Sequence, residues 1–297
     1  MSKIHTKIFT GAASALVTPF KSGKIDHDAL KRSIDFQISE GISALVICGT
    51  TGEASTLSID EYEDCIRSSV LYANGRVPII AGSGSNCTEK AIYLSRAACK
   101  AGADALLLIT PYYNKTNEEG LYKHFCEIAK SVCKPILLYN VPSRTGMNIP
   151  KSVYTKLFEC ENIYGVKEAS YNISDIMDLA SCKKDTFDIY CGNDDIVVPM
   201  LSVGGSGVIS VISNILPKRV SSMCNSFFNG NISVARDTQL SLIPIIRAMF
   251  CEVNPIPIKY AMSLMGLCSP EVRAPLYEPS NSAKEKIQLA LKQYNLI

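Results

Sequence analysis

The chain has 297 residues and a formal net charge of +2, with 47% apolar and 20% charged residues. That is the balance of an ordinary globular protein, long enough to bury one large core or one core plus a small appendage. The near-neutral charge, without any Lys/Arg-rich block, excludes nucleic acid as an expected partner, and no apolar run approaches the ~20 residues that span a membrane.

Taken in chain order, Met1 to Thr10 lacks the apolar core of a signal peptide. Short runs rich in apolar and β-branched residues then alternate with helical patterns. The predicted strands are Ala12 to Val17, Ala44 to Cys48, Val77 to Ala81, Asp104 to Ile109, Pro135 to Tyr139, Ile163 to Lys167, Phe187 to Cys191 and Gly207 to Val211. Between them, Asp26 to Glu40 carries Leu30, Ile34 and Ile38 at helical spacing. Ser58 to Ala73 opens with the capping box Ser58-x-x-Glu61, and Asn86 to Ala101 with the related Asn86-x-x-Glu89. Gly41 and Gly102 close helices before the next strand. From Leu216 onward only helical stretches follow, broken at Gly230, at Asn254-Pro255-Ile256-Pro257 and at Ser269-Pro270.

Strands such as Ala105-Leu106-Leu107-Leu108-Ile109 are apolar throughout, which implies burial on both faces and a parallel sheet under helices. Eight βα units in about 210 residues is the count of an α/β protein of the (β/α)8 TIM-barrel type. The expected organisation is a catalytic barrel over 1–229 and a small all-helical appendage over 230–297. An open doubly wound sheet would carry a Gly-x-Gly-x-x-Gly fingerprint. Gly82-Ser83-Gly84 comes nearest, but Cys87 stands where the third glycine belongs, so these glycines read as turn residues and an NAD-dependent oxidoreductase is not expected.

The twelve cysteines are scattered singly, with no Cys-x-x-Cys pair, which points to small hydrophobes in a reducing cytoplasm and not to a disulfide or metal framework. His5, His27 and His124 are the only histidines, and all three read as solvated surface. No set of His and Cys ligands converges, so metal catalysis is not expected.

In such barrels chemistry sits at the C-terminal strand ends. Strand two leads into Gly49-Thr50-Thr51-Gly52-Glu53, whose hydroxyls and backbone N–H groups suit a carboxylate, although a plain turn would look the same. Strand four leads into Tyr112-Tyr113, and strand five ends in Tyr139 with Arg144 five residues on, a guanidinium shaped for bidentate carboxylate capture. Strand six, Ile163-Tyr164-Gly165-Val166-Lys167, carries a lysine into the interior. An ammonium is costly there, and a neutral amine is what attack on a carbonyl requires, so the position suggests Schiff-base chemistry, against the plainer reading of a strand-end lysine reaching solvent.

The segments Gly49 to Glu53, Tyr139 to Gly146, Gly165 to Ala169 and Asn254 to Lys259 together resemble the dihydrodipicolinate synthase family, within the N-acetylneuraminate lyase superfamily of pyruvate aldolases. The likeness runs nearly end to end. It implies condensation of pyruvate with aspartate-4-semialdehyde at the entry to lysine and diaminopimelate biosynthesis, with no cofactor beyond the covalent imine. By the resemblance Lys167 forms that imine, Tyr139 shuttles protons, and Thr50 links Tyr139 to a Tyr113 supplied by a neighbouring subunit. Thr51, with Thr50, holds the pyruvate carboxylate, Arg144 receives that of the semialdehyde, and the backbone of Gly192 and Ile209 lines the site. A shared Tyr113 requires a homo-oligomer, with a tetramer built from two dimers expected. The chemistry fits: an imine is an electron sink, and with no suitable histidine a phenol must carry the proton.

The nearest alternative is a sugar-acid aldolase or N-acetylneuraminate lyase of the same superfamily. These share the lysine, the tyrosine and the threonine turn, but lack a cation at the position of Arg144. A non-catalytic barrel would be expected to lose Lys167 or Tyr139, and both are present. Many members are inhibited by lysine through imidazoles and a carboxylate near the turn after strand two. Here the matching positions are Ile59, Tyr62 and Lys90, although Asn86 and Tyr112 remain, and weak or absent inhibition is expected.

Overall fold

The computed structural model describes residues 7–297, and His5 lies outside them. The expected (β/α)8 barrel is present. Its strands, each parallel to its neighbours, are β1 (Gly11–Ala15), β2 (Ala44–Ile47), β3 (Ile79–Gly82), β4 (Ala105–Ile109), β5 (Ile136–Asn140), β6 (Ile163–Glu168), β7 (Asp188–Cys191) and β8 (Gly207–Ser210), and β8 closes the ring on β1. Almost every strand residue is buried, the reason these runs are apolar throughout instead of alternating. Ends move by one or two residues from the sequence expectation. β3 starts at Ile79 because Pro78 before it has no N–H to give to a ladder, and Ile79 N–H instead binds Asp104 Oδ2 at 2.8 Å.

A two-stranded hairpin, Phe20–Lys21 against Lys24–Ile25, follows β1 and was not expected from sequence. Its strands are too short to show alternation, and the turn between them rests on Ser22 and Gly23, at φ +53° and +77°.

The helices between strands are α1 (His27–Ser39), α2 (Ile59–Ala73), α3 (Thr88–Lys100), α4 (Glu118–Lys130), α5 (Lys151–Leu157), α6 (Ile173–Cys182) and α7 (Val197–Ser202). After β8 come α8 (Pro217–Phe228), α9 (Ile232–Met249), α10 (Ile256–Leu264) and α11 (Asn281–Gln293). The Ser58–Glu61 capping box forms as expected. The cap expected at Asn86 does not: α3 starts from Cys87 without a side-chain bond, and the Asn86 carbonyl accepts from Asn114 Nδ2 at 2.8 Å. No helix among the described residues is long and apolar enough to cross a membrane.

His124 is a correction. It is buried on the core side of α4, one turn from Leu121 and Ile128, with Nδ1 2.9 Å from Thr88 Oγ1. Burial pushes its imidazole down to about 4. The unfolded chain therefore takes up this proton from about pH 6.5 downward, while the fold resists until about pH 4. Stability is full above that window and falls as pH drops through it, by up to about 3 kcal/mol. Melting temperatures between pH 7 and pH 4 are expected to fall less steeply in His124→Asn, which keeps a hydrogen-bonding partner for Thr88 but does not titrate. His27 is part-exposed and lies 3.0 Å from Asp64.

Candidate active site

Lys167 and Tyr139 meet because β5 and β6 pair them in register. The pairing depends on a bulge. Ile136 pairs with Ile163 but Leu137 with Gly165, so Tyr164 is an extra residue that advances β6 by one. Without it Val166 would stand opposite Tyr139. Only glycine fits at 165, since an added Cβ would lie 2.4 Å from the Asp188 carbonyl oxygen. The Lys167 side chain is 5% exposed, and its Nζ sits 4.4 Å from the centroid of the Tyr139 ring, whose electron-rich face offsets part of the cost of burying the cation.

Neighbouring strand residues point the other way. Glu168 faces the helices, where both carboxylate oxygens accept from Asn140 Nδ2, at 2.9 and 3.2 Å, and one accepts from the Ser170 N–H at 2.8 Å. Burial pushes its carboxyl up, against those hydrogen bonds. Asp194, buried in the loop after β7, accepts from the N–H groups of Val211 and Ile212 at 2.9 and 3.1 Å and so ties that loop to the end of β8. Its carboxyl is raised by burial, opposed by Ser210, those two N–H groups and the Lys167 cation.

A cavity of about 380 Å³ opens above Lys167 and Tyr139, walled by Thr50, Thr51, Arg144 and Thr145. Thr50 and Thr51 lie in a tight turn between Cys48 and Glu53, both in the left-handed region at φ +54° and +52°. Thr51 is buried, and its Oγ1 accepts from Asn254 Nδ2 at 3.0 Å. Arg144 lies on a single helical turn, Pro142–Thr145, anchored where the Thr110 hydroxyl donates to Thr145 Oγ1 at 3.0 Å. The Arg144 guanidinium is exposed at the rim and donates to the Asn254 carbonyl at 3.4 Å. The same cavity runs on to Ile59, Tyr62, Lys90 and Tyr112.

Three expected residues stand apart from this wall. Tyr113 is 92% exposed on the loop after β4, and Ile209 is fully buried within β8. Gly192 packs on Lys167, where an added Cβ would come within 3.2 Å of Lys167 Cε. Nothing in the sequence signals this role for Asn254, which lies in the Asn254 to Lys259 run that carries the family resemblance.

A (β/α)8 barrel that presents a buried amine beside a phenol, at the foot of a cavity lined with hydroxyls, defines an imine-forming lyase. The model of the Dihydrodipicolinate synthetase family matches residues 8–294. The 4-hydroxy-tetrahydrodipicolinate synthase of Lachnoclostridium phytofermentans is 49% identical over 292 residues, 98% of this chain and 99% of that one. The crystal structure of chloride-inhibited dihydrodipicolinate synthase from Acinetobacter baumannii, complexed with pyruvate, has a TM-score of 0.94 at 39% identity, covering 97% of this chain and 99% of that one. That of Cyanidioschyzon merolae with lysine bound has a TM-score of 0.95 at 34% identity, covering 98% and 100%. The chain belongs to the dihydrodipicolinate synthetase family.

Proposed function

We propose that this cavity joins pyruvate to L-aspartate-4-semialdehyde, giving 4-hydroxy-tetrahydrodipicolinate through an imine on Lys167. The observation that carries the reading is the Lys167 amine held 4.4 Å from the Tyr139 ring below Thr50 and Thr51. The reaction is that of a Schiff-base-forming lyase, and family membership favours it over a sugar-acid aldolase. The neutral Lys167 amine adds to the keto carbon of pyruvate, and loss of water leaves the iminium. A methyl proton then leaves to give the enamine, which attacks the aldehyde carbon of the second substrate; that substrate's own amino group then displaces the Lys167 nitrogen from the re-formed iminium carbon, closing the ring and freeing the amine. Tyr139 is the proton carrier of this scheme, Thr50 and Thr51 hold the pyruvate carboxylate, and Arg144 at the rim takes that of the semialdehyde. Because the imine is itself the electron sink, the scheme uses no cofactor.

Tyr113 belongs to this scheme only through a second copy of the chain. Its exposed phenol is available for donation into a neighbour's cavity, and a homo-oligomer, a tetramer of paired dimers, supplies that neighbour. Gly192 contributes by packing on Lys167, and Ile209 by the backbone of β8. Residues 230–297 form the helical appendage of this catalytic barrel. A reducing cytoplasm suits its twelve unbridged thiols.

The test is pyruvate consumption by the native protein with either aspartate semialdehyde or N-acetylmannosamine as acceptor. Turnover with the semialdehyde alone is expected, and turnover with the sugar alone would move the enzyme to the lyase branch. A second expectation concerns lysine. The cavity lining also includes Ile59, Tyr62 and Lys90; the lysine repels an ammonium, and none of the three offers it a carboxylate. Calorimetry is expected to detect no lysine binding tighter than about 1 mM, roughly 4 kcal/mol, and a micromolar affinity would overturn this.

A further inference from the structure

We propose that Asn254, Lys259 and Arg273, all from the C-terminal segment, are positioning residues that clamp the Thr50–Glu53 turn in its working shape, with Asn254 bridging the two substrate-binding positions. The inference rests on the assignment of Thr51 to the pyruvate carboxylate and of Arg144 to the semialdehyde.

The turn needs holding. Glu53 closes it with a φ of +52°, a conformation that a side-chain-bearing residue keeps only when its surroundings over-determine it. Its carboxylate is also buried, and a buried charge needs partners for all its lone pairs. Both oxygens find them in the C-terminal segment. Oε1 accepts from Lys259 Nζ at 2.6 Å and Oε2 from the Arg273 N–H at 2.9 Å. The ion pair is essentially inaccessible, with side-chain exposures of 0% for Lys259 and 1% for Glu53. Burial pushes the Lys259 ammonium down, and Glu53 opposes that.

Phe20, brought in by the hairpin, is flanked by two cations. Lys259 Nζ and the Arg273 guanidinium carbon each lie 4.2 Å from its ring centroid. The guanidinium then forks onto Glu61, at 2.5 and 2.7 Å, and donates to the Thr56 carbonyl at 3.0 Å. Glu61 is the capping-box residue of α2, and its carboxyl is held down at about 2 chiefly by Arg273. The chain from Thr51 to Glu61 is thus pinned at successive points to residues some 200 positions away.

Asn254 acts at the substrate end of the clamp. Its Nδ2 donates to Thr51 Oγ1 at 3.0 Å, so one lone pair of that hydroxyl is used and its own proton is left to donate towards a carboxylate in the cavity. Its backbone carbonyl accepts from Arg144 at 3.4 Å. The side chain therefore serves the pyruvate position and the backbone serves the semialdehyde position.

That division yields a readout that general destabilisation would not give. In Asn254→Ala the KM for pyruvate is expected to rise about tenfold, while that for the semialdehyde stays within about twofold because the backbone carbonyl remains. An unchanged pyruvate KM, or an equal rise in both, overturns the bridging role. For the ion pair, Lys259→Met leaves the Glu53 charge buried without its counter-ion, held only by the Arg273 N–H, and is expected to lower kcat/KM for pyruvate by about 100-fold or more. The double variant Glu53→Gln/Lys259→Met restores a neutral, filled site and is expected to regain at least about tenfold of that loss. A double variant no better than the single one overturns the clamp, and it decides the matter even where Lys259→Met alone fails to fold. Borohydride trapping of pyruvate on native protein keeps the two readings apart. Its failure would remove the imine assignment, whereas the recovery of melting temperature in the double variant reports on the clamp alone.

Discussion

Lys167→Arg is expected to abolish turnover, with a loss of at least about 10³-fold in kcat, equivalent to roughly 4 kcal/mol of barrier. Arginine keeps the positive charge and much of the length, but its guanidinium does not deprotonate and cannot add to a ketone. Lys167→Met, close in volume and uncharged, serves as the control for folding. On treatment with pyruvate and borohydride, the native chain is expected to gain one reduced adduct on the peptide that contains Lys167, and both variants none. The peptide map matters because Lys259 is a second, fully buried amine. Lys259 is engaged by Glu53 at 2.6 Å, so an adduct found there would show that the wrong lysine has been assigned as the nucleophile.

How far the sequence discloses this site depends on the range of the interactions involved. The barrel strands are legible because burial on both faces makes each a continuous apolar run, and a strand-end lysine, tyrosine and threonine pair stand out against such runs. What places the lysine against the tyrosine is less visible. The bulge at Tyr164 changes no composition, yet it decides whether Lys167 or Val166 stands opposite Tyr139. The burial of His124 was within reach, since Leu121 and Ile128 lie three and four residues away on α4 and mark its face as the core side. The Phe20 hairpin was not, because two-residue strands carry no period. The clamp lies furthest from local pattern. Glu53 and Lys259 are separated by 206 positions, and only the folded chain shows that a glutamate ending one turn and a lysine in a distant helix neutralise each other.

Tyr139→Phe isolates the proton carrier from the rest of the site. The substitution keeps the ring that lies 4.4 Å from the Lys167 amine, and so keeps the cation–π contact and the packing of the β5 tip, while removing the one oxygen that can move a proton. Turnover is expected to fall by about 10²- to 10⁴-fold, the range for loss of a general acid–base group. Borohydride trapping on Lys167 should still reach completion at long times, because the amine and its surroundings are intact. The step that separates carriage of the proton from mere placement of the lysine is exchange of the pyruvate methyl protons with deuterated solvent, followed by NMR without the second substrate. Each exchange passes through the enamine, so loss of the phenol should slow it in proportion to kcat. Methyl exchange at the native rate in the phenylalanine variant would mean that another group takes the proton. Asp194 would then be the residue to test, as a buried carboxyl that feels the Lys167 charge and already holds the end of β8.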